Sequence, residues 1–183
     1  MRTIKTMDLT KKNILITGLP GVGKTTLIKK LAEKLTDSHP VGFYTREIRE
    51  EGIRKGFELM SLDGRKGFLS HIEIKSSYRV GKYRVNIKGF EDFIDSIPFL
   101  DHKVRVIIID EIGKMECLSE KFTKLMKVIL DSEKLVAATI ALRGIGLIEE
   151  IKKRDDIKIF EITPSNRESI LFEILSDIKR LLT

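Results

Sequence analysis

Two kinds of hydrophobic pattern follow one another along the chain. Nearly continuous apolar runs at 12–17 (KNILIT), 104–110 (VRVIIID), 134–140 (KLVAATI) and 157–162 (IKIFEI) predict strands buried on both faces, as in a parallel sheet. Between and after them apolar residues recur at helical spacing, predicting helices over 25–35, 89–97, 119–130, 147–153 and 165–182. In the helix at 119–130 the stripe is Phe122, Leu125, Met126, Ile129 and Leu130, with Ser119 placed as N-cap. The helix at 89–97 stops before Pro98. Residues 41–70 behave differently. They are rich in β-formers, with turn signals at Glu51-Gly52 and Asp63-Gly64, and predict two or three antiparallel strands joined by hairpins. Residues 71–88 carry no clear period beyond a short strand at 82–86. Strands alternating with helices predict a mostly parallel α/β sheet, with the hairpin segment as an insertion or an antiparallel extension. No repeat, linker or low-complexity tract divides the chain, so one domain over 1–183 is expected.

Composition narrows the class. Charged residues make up 33% of the 183-residue chain and no apolar run approaches the ~18 residues a membrane span needs, which excludes a membrane-spanning helix. The amino terminus, MRTIKTMDLTKK, is basic but lacks the apolar stretch and cleavage site of a signal peptide, so a cytoplasmic address is expected. The single cysteine, Cys117, cannot close an internal disulfide and, beside an acid, is expected to be an inert thiol. The net charge of +7 suits nucleotides, nucleic acid or lipid head groups, although a solvated Lys/Glu surface is the plainer account of it. Glutamine is absent and asparagine occurs only at Asn13, Asn86 and Asn166, a composition similar to that of hyperthermophiles.

One motif changes the picture. Gly18-Leu19-Pro20-Gly21-Val22-Gly23-Lys24-Thr25 fits G-x-x-x-x-G-K-[ST], between a predicted strand and a predicted helix. The glycines let successive backbone N–H groups turn toward phosphate oxygens, and the helix N-terminus adds its positive end. Lys24 is placed to reach the β- and γ-phosphates and the Thr25 hydroxyl to coordinate Mg²⁺. The run through Thr26 is therefore assigned to nucleotide binding, with nucleoside triphosphates as the ligand. The motif does not choose among kinase, hydrolase, motor and switch.

The paired acids at the end of VRVIIIDEIGKME bear on that choice. Asp110 ends a buried strand at the edge where α/β proteins bind ligands, and is placed to hold Mg²⁺ opposite Thr25. Glu111 follows where, in P-loop ATPases with an extra strand between the loop strand and the Asp strand, a carboxylate polarises the attacking water. A surface carboxylate is the plainer alternative.

These residues carry a resemblance. The chain resembles the nucleoside-triphosphatase family described from thermophiles, which includes the human cancer-related nucleoside-triphosphatase. The matching blocks are GLPGVGKTTL at 18–27, GFYTREIREEGIRKGFEL at 42–59, VGKYRVN with GFEDF at 80–93, IIIDEIGKME at 107–116 and, more weakly, FEITPSNRE at 160–168. The resemblance implies a three-layer α/β/α P-loop NTPase fold and slow, Mg²⁺-dependent hydrolysis of several nucleoside triphosphates (ATP, GTP, CTP, UTP) to diphosphate and phosphate. Cys117 stands where an aliphatic residue is expected and Glu168 where Asp is expected. Within the same block Gly113 lets the chain bend beside the phosphates, and Lys114 is a candidate second cation for charge on the γ-phosphate, or else an exposed lysine. Met115 suits packing. Glu116 has no sharp role beyond pairing with Lys114 or a distant arginine.

Weaker candidates remain. Arg46, Arg49 and Arg54 offer an internal arginine finger if the hairpin folds over the nucleotide, against the plainer reading of surface arginines. Thr139 is placed either to sense the γ-phosphate or to bond backbone. Phe43 and Tyr44 either stack on a base or belong to the core. Asn166 and Arg167 lie where many P-loop proteins hold the base, though Asn166 equally suits a helix start. His39, His71 and His102 show no metal spacing. The expected protein is a monomeric nucleoside-triphosphatase. The competing readings are a nucleotide or polynucleotide kinase, and a nucleic-acid-binding ATPase or switch drawn from the +7 charge.

Overall fold

The computed structural model describes residues 11–183; residues 1–10, most of the basic amino-terminal stretch, lie outside the described residues. In chain order β1 (Asn13–Thr17) leads to α1 (Lys24–Lys34), then β2 (Val41–Glu50), β3 (Ile53–Ser61) and β4 (Lys66–His71). The short strands β5 (Arg79–Val80) and β6 (Tyr83–Val85) precede α2 (Ile87–Asp95). Then come β7 (Val106–Ile112), α3 (Glu120–Asp131), β8 (Leu135–Ile140), α4 (Leu147–Lys152), β9 (Ile157–Glu161) and α5 (Ile170–Leu182).

The strands form one sheet in the order β5-β6-β4-β3-β2-β7-β8-β1-β9. From β2 to β9 all neighbours are parallel, and β3, β4, β6 and β5 extend the sheet beyond β2 antiparallel. The mostly parallel sheet with a hairpin extension is thus the observed one. The β2–β3 turn is carried by Glu51 and Gly52, both at positive φ (48° and 78°), as a tight hairpin matched to strand twist requires.

Strand alternation sorts the core into two layers. Ile14, Ile16, Val106, Ile108, Leu135 and Ala137 pack with Leu27, Ile28 and Leu31 of α1 and Ile174 and Ile178 of α5. Leu15, Ile107, Ile109, Val136 and Ala138 face the other way, against Phe90 of α2, Phe122 and Met126 of α3, and Ile148 of α4. Each fully buried side chain of this kind contributes about 1.5–3 kcal/mol relative to exposure. Phe43 sits at the centre of the second layer, edge-on to Phe90, Phe93 and Phe122, so it belongs to the core and is not free to stack on a base. Asn13, fully buried, ties the foot of β1 to its neighbours: Nδ2 donates to Leu130 O (3.2 Å) and Oδ1 accepts from Val136 N (3.3 Å).

Several predicted boundaries move: the helix expected over 89–97 runs from Ile87 to Asp95. The acidic strand runs on past Asp110 to Ile112. The last helix begins at Ile170, not at 165, because Asn166 closes a turn ahead of it: Oδ1 accepts from Thr163 N (2.8 Å) and Nδ2 donates to Glu161 O (2.9 Å). Local side-chain bonds of this kind compete with helix. The expected cap at Ser119 is present, its Oγ accepting from Phe122 N (3.0 Å); Asn86, which the sequence reading does not single out, caps α2 by accepting from Gly89 N (3.1 Å).

Candidate active site

The carboxyl ends of β1, β8 and β7 lie side by side, with β8 between the loop strand and the acidic strand. The loop from Gly18 to Gly23 joins β1 to α1. Gly23 holds φ 111°, a conformation costly to residues with a side chain, and caps α1 without a side-chain bond. The first N–H groups of α1 consequently point out of the helix with no carbonyl ahead of them. Lys24 folds back over this loop, its Nζ donating to Gly18 O (3.0 Å) and Leu19 O (3.3 Å).

Asp110 is 1% exposed and gathers hydroxyls from neighbouring elements. Its Oδ2 accepts from Thr25 Oγ1 of α1 (2.7 Å) and, weakly, from Thr45 Oγ1 of β2 (3.5 Å); its Oδ1 accepts from Thr139 Oγ1 of β8 (2.5 Å). Thr139 therefore bonds the carboxylate and not backbone. Thr45 had no signal in the sequence, because only the pairing of β2 with β7 brings it near.

A bulge explains how two adjacent acids both reach this edge. Ile109 pairs with Ala138 and Ile112 with Ile140, so Asp110 and Glu111 together oppose Thr139. In a regular strand Ile109 and Ile112 would point to opposite faces, yet both enter the same core layer. Glu111 is half-buried. Burial, followed by the Asp110 charge, pushes its carboxyl upward, and the Lys24 charge opposes this.

The turn after β7 holds a third acid. Glu116 is 4% exposed, and burial together with the Glu111 charge raises it to about 8. The expected pairing with Lys114 or an arginine is not found: among the described residues Glu116 forms no ion pair, and Lys114 is exposed. Gly113 is buried because both carboxylates crowd it. A Cβ there would lie 2.7 Å from Glu116 Oε2 and 2.8 Å from Glu111 Oε1. Met115 packs against the core, and burial pushes the Cys117 thiol up to about 12, which makes it the inert thiol expected.

The hairpin arginines are tied down. Arg46 bonds Glu58 (2.6 Å), Arg49 bonds Glu47 (2.6 Å), and Arg54 bonds Glu47 (2.8 Å) and the Tyr83 hydroxyl (2.8 Å). Arg167 is exposed and lies 3.6 Å from Glu168, while both polar ends of Asn166 are spent on its turn. Tyr44 is half-buried under the Lys29 ammonium, 4.1 Å from its ring centre. A cavity of about 300 Å³ lies at the opposite, amino-terminal edge of the sheet; there Arg105 and Lys134 donate to backbone carbonyls.

The donors present suit Mg²⁺. Thr25 and Asp110 supply hard oxygens in direct contact, and Mg²⁺ typically takes one or two protein oxygens and completes its shell with water and phosphate. Among the described residues no cluster of three or more His, Cys, Asp or Glu side chains offers an all-protein cage.

A family model described as NTPase matches residues 13–175. The chain is 52% identical over 167 residues to the nucleoside-triphosphatase THEP1 of Thermotoga sp. (strain RQ2), covering 91% of this chain and 95% of that one. Among solved structures it is similar to the crystal structure of THEP1 from the hyperthermophile Aquifex aeolicus, with TM-score 0.79 and 39% identity over 91% of this chain and 99% of that one. It is also similar to the solution structure of a human cancer-related nucleoside triphosphatase, with TM-score 0.80 and 35% identity over 92% and 98% of the two chains.

Proposed function

The chain belongs to the NTPase family, and from that membership we propose that its glycine-loop site hydrolyses nucleoside 5′-triphosphates to diphosphate and phosphate, slowly, with Mg²⁺ and with broad base tolerance. The observation that carries the reading is the β7 bulge, which sets Asp110 against Thr25 and leaves Glu111 beside it at the sheet edge.

Lys24 and the N–H groups at the start of α1 hold the β- and γ-phosphates. Thr25 and Asp110 are the residues to hold Mg²⁺, which when bound neutralises charge on the phosphate oxygens. Glu111 orients a water in line with the γ-phosphorus and accepts its proton as the new P–O bond forms and the bond to the bridging oxygen breaks. Lys114, the exposed cation of this turn, is assigned to charge developing on the γ-phosphate. Gly18 to Thr26 contact nucleotide, with Gly113, Asn166 and Arg167 at its margins. The side-chain amide of Asn166 is committed to its own turn, which fits weak discrimination among bases. The three hairpin arginines are held in ion pairs, which fits slow turnover without an activating partner. We assign the protein to the cytoplasm as a monomer.

The test is phosphate release from ATP, GTP, CTP and UTP with Mg²⁺ by wild type and Glu111→Gln, with nucleotide affinity measured on both. Release by wild type with no added acceptor separates hydrolase from kinase. Normal binding with abolished release in the variant is the expected result. Binding by both proteins with release by neither would overturn the reading.

A further inference from the structure

We propose that the cavity at the amino-terminal edge of the sheet is a second anion site, separate from the glycine loop, that takes a compact phosphate monoester carrying an apolar group. It stands whether or not the loop site hydrolyses triphosphates.

Three adjacent parallel strands enter the sheet at this edge in the spatial order β7-β8-β1, and a cation immediately precedes each: Arg105, Lys134 and Lys12. The register sets them in a row. Val106 pairs with Leu135, so Arg105 and Lys134 stand side by side; Ile14 pairs with Ala137, which brings Lys12 level with Leu135. Neighbouring strands are about 4.8 Å apart. All three side chains line the cavity, whose volume is about 300 Å³.

Their hydrogen bonds hold the cations in place without neutralising them. Lys134 Nζ donates to Asp101 O (2.7 Å) and Val104 O (2.9 Å), Arg105 to Leu182 O (2.6 Å) and Lys12 to Ser132 O. Among the described residues none of the three forms an ion pair. Asp101 and Asp156, which feel Lys134 and Lys12 respectively, accept from Lys103 N (2.8 Å) and Arg154 (2.8 Å), and neither lines the cavity. The acid in the lining is Glu133, which is exposed. Three cations against one carboxylate leave two positive charges over. Lysine carries three donors and arginine five, so each cation keeps N–H groups beyond those given to carbonyls.

Charge and shape together define the ligand. A phosphate dianion matches the surplus and accepts charge-assisted hydrogen bonds from several donors at once. The volume lies at the lower end of the ~300–1,000 Å³ of small-molecule sites. Buried Val104 and Leu135, with the last turn of α5, supply apolar surface that inorganic phosphate would leave unused. Among the described residues no Phe, Tyr or Trp lines the cavity, so bases of a single strand would have no ring to stack on there.

The experiment is an amide NMR titration of the whole chain carrying Lys24→Ala, which removes the cation of the glycine loop. The probes are phenyl phosphate, inorganic phosphate and phenol. Phenyl phosphate is expected to shift the amides of Val104, Arg105, Lys134 and Leu135 saturably and to bind about tenfold more tightly than inorganic phosphate, while phenol leaves them in place. Arg105→Gln and Lys12→Gln, each added to K24A, are expected to weaken phenyl phosphate about tenfold with melting temperatures close to that of K24A. The two variants lie on different strands, so the test survives misfolding of either. Absence of shifts at these amides up to about 10 mM phenyl phosphate would overturn the proposal. So would shifts confined to Gly21 and Gly23, equal affinity for phenyl phosphate and inorganic phosphate, or unchanged affinity in both variants. Tighter binding of a single-stranded oligonucleotide than of phenyl phosphate at the same amides would overturn it in favour of a nucleic-acid surface.

Discussion

Gly113→Ala adds one methyl group at the point where two carboxylates meet. Gly113 does not hold a positive φ, so the backbone admits alanine and only space opposes it. The new Cβ would lie 2.7 Å from Glu116 Oε2, 2.8 Å from Glu111 Oε1 and 2.9 Å from Glu111 Cγ. Non-bonded heavy atoms settle at about 3.5–4 Å, so the neighbours must retreat by about 1 Å. Both are side-chain ends, and the strain is therefore at the low end for overpacking, about 1 kcal/mol, or about 2–4 °C in melting temperature for a domain this size. The rate is affected more. For Glu111 in its proposed water-orienting role, a displacement of about 1 Å is expected to cost about 100-fold, which corresponds to about 2.7 kcal/mol of barrier. The glycine loop is untouched, so affinity for a non-hydrolysable triphosphate analogue is expected to hold. Single-turnover phosphate release, calorimetric binding and a thermal melt on the same preparation separate the three quantities. A rate within about twofold of wild type, or affinity and rate falling together, would refute the claim that Gly113 is kept bare to seat Glu111.

Thr139→Val is nearly isosteric and removes one of the hydroxyls that hold Asp110; loss of a bond to a buried charge is expected to lower unfolding stability by about 1.5–3 kcal/mol, read by urea titration, and to weaken Mg²⁺-dependent nucleotide binding. Glu116 gives the fold a pH dependence. Its folded value of about 8 lies above the 4.5 of the free side chain, so between those limits the folded chain binds more protons than the unfolded one. The stabilisation is fully present below pH 4.5 and lost as pH rises through about 8, at up to about 1.4 kcal/mol per pH unit. Urea unfolding at pH 5, 7 and 9 is expected to show wild type losing stability relative to E116Q as pH rises; parallel curves would mean that Glu116 is charged in the folded protein.

Features that depend only on neighbours along the chain could be read from the order of residues. The apolar runs at β1, β7, β8 and β9, the helical stripe over Phe122 to Leu130 and the Ser119 cap are local periodicities, and the structure reproduces them within a few residues. The glycine loop was legible for the same reason: its motif is written in eight consecutive residues. Long-range pairing was not legible. Only the sheet order sets β8 between β1 and β7 and brings Thr45 and Thr139 to Asp110, residues 65 and 29 positions away. The last-helix boundary failed because Asn166 spends its side chain on a turn, and the arginine-finger reading lost ground once β2 and β3 paired Arg46 and Arg54 with acids across the hairpin. The acids of DEIGKME show the division most clearly. Their identity is written in the sequence, but their roles are separated by burial. The bulge opens Asp110 and Glu111 to the site edge, and the turn folds Glu116 into the interior, where desolvation and a neighbouring carboxylate push its carboxyl up.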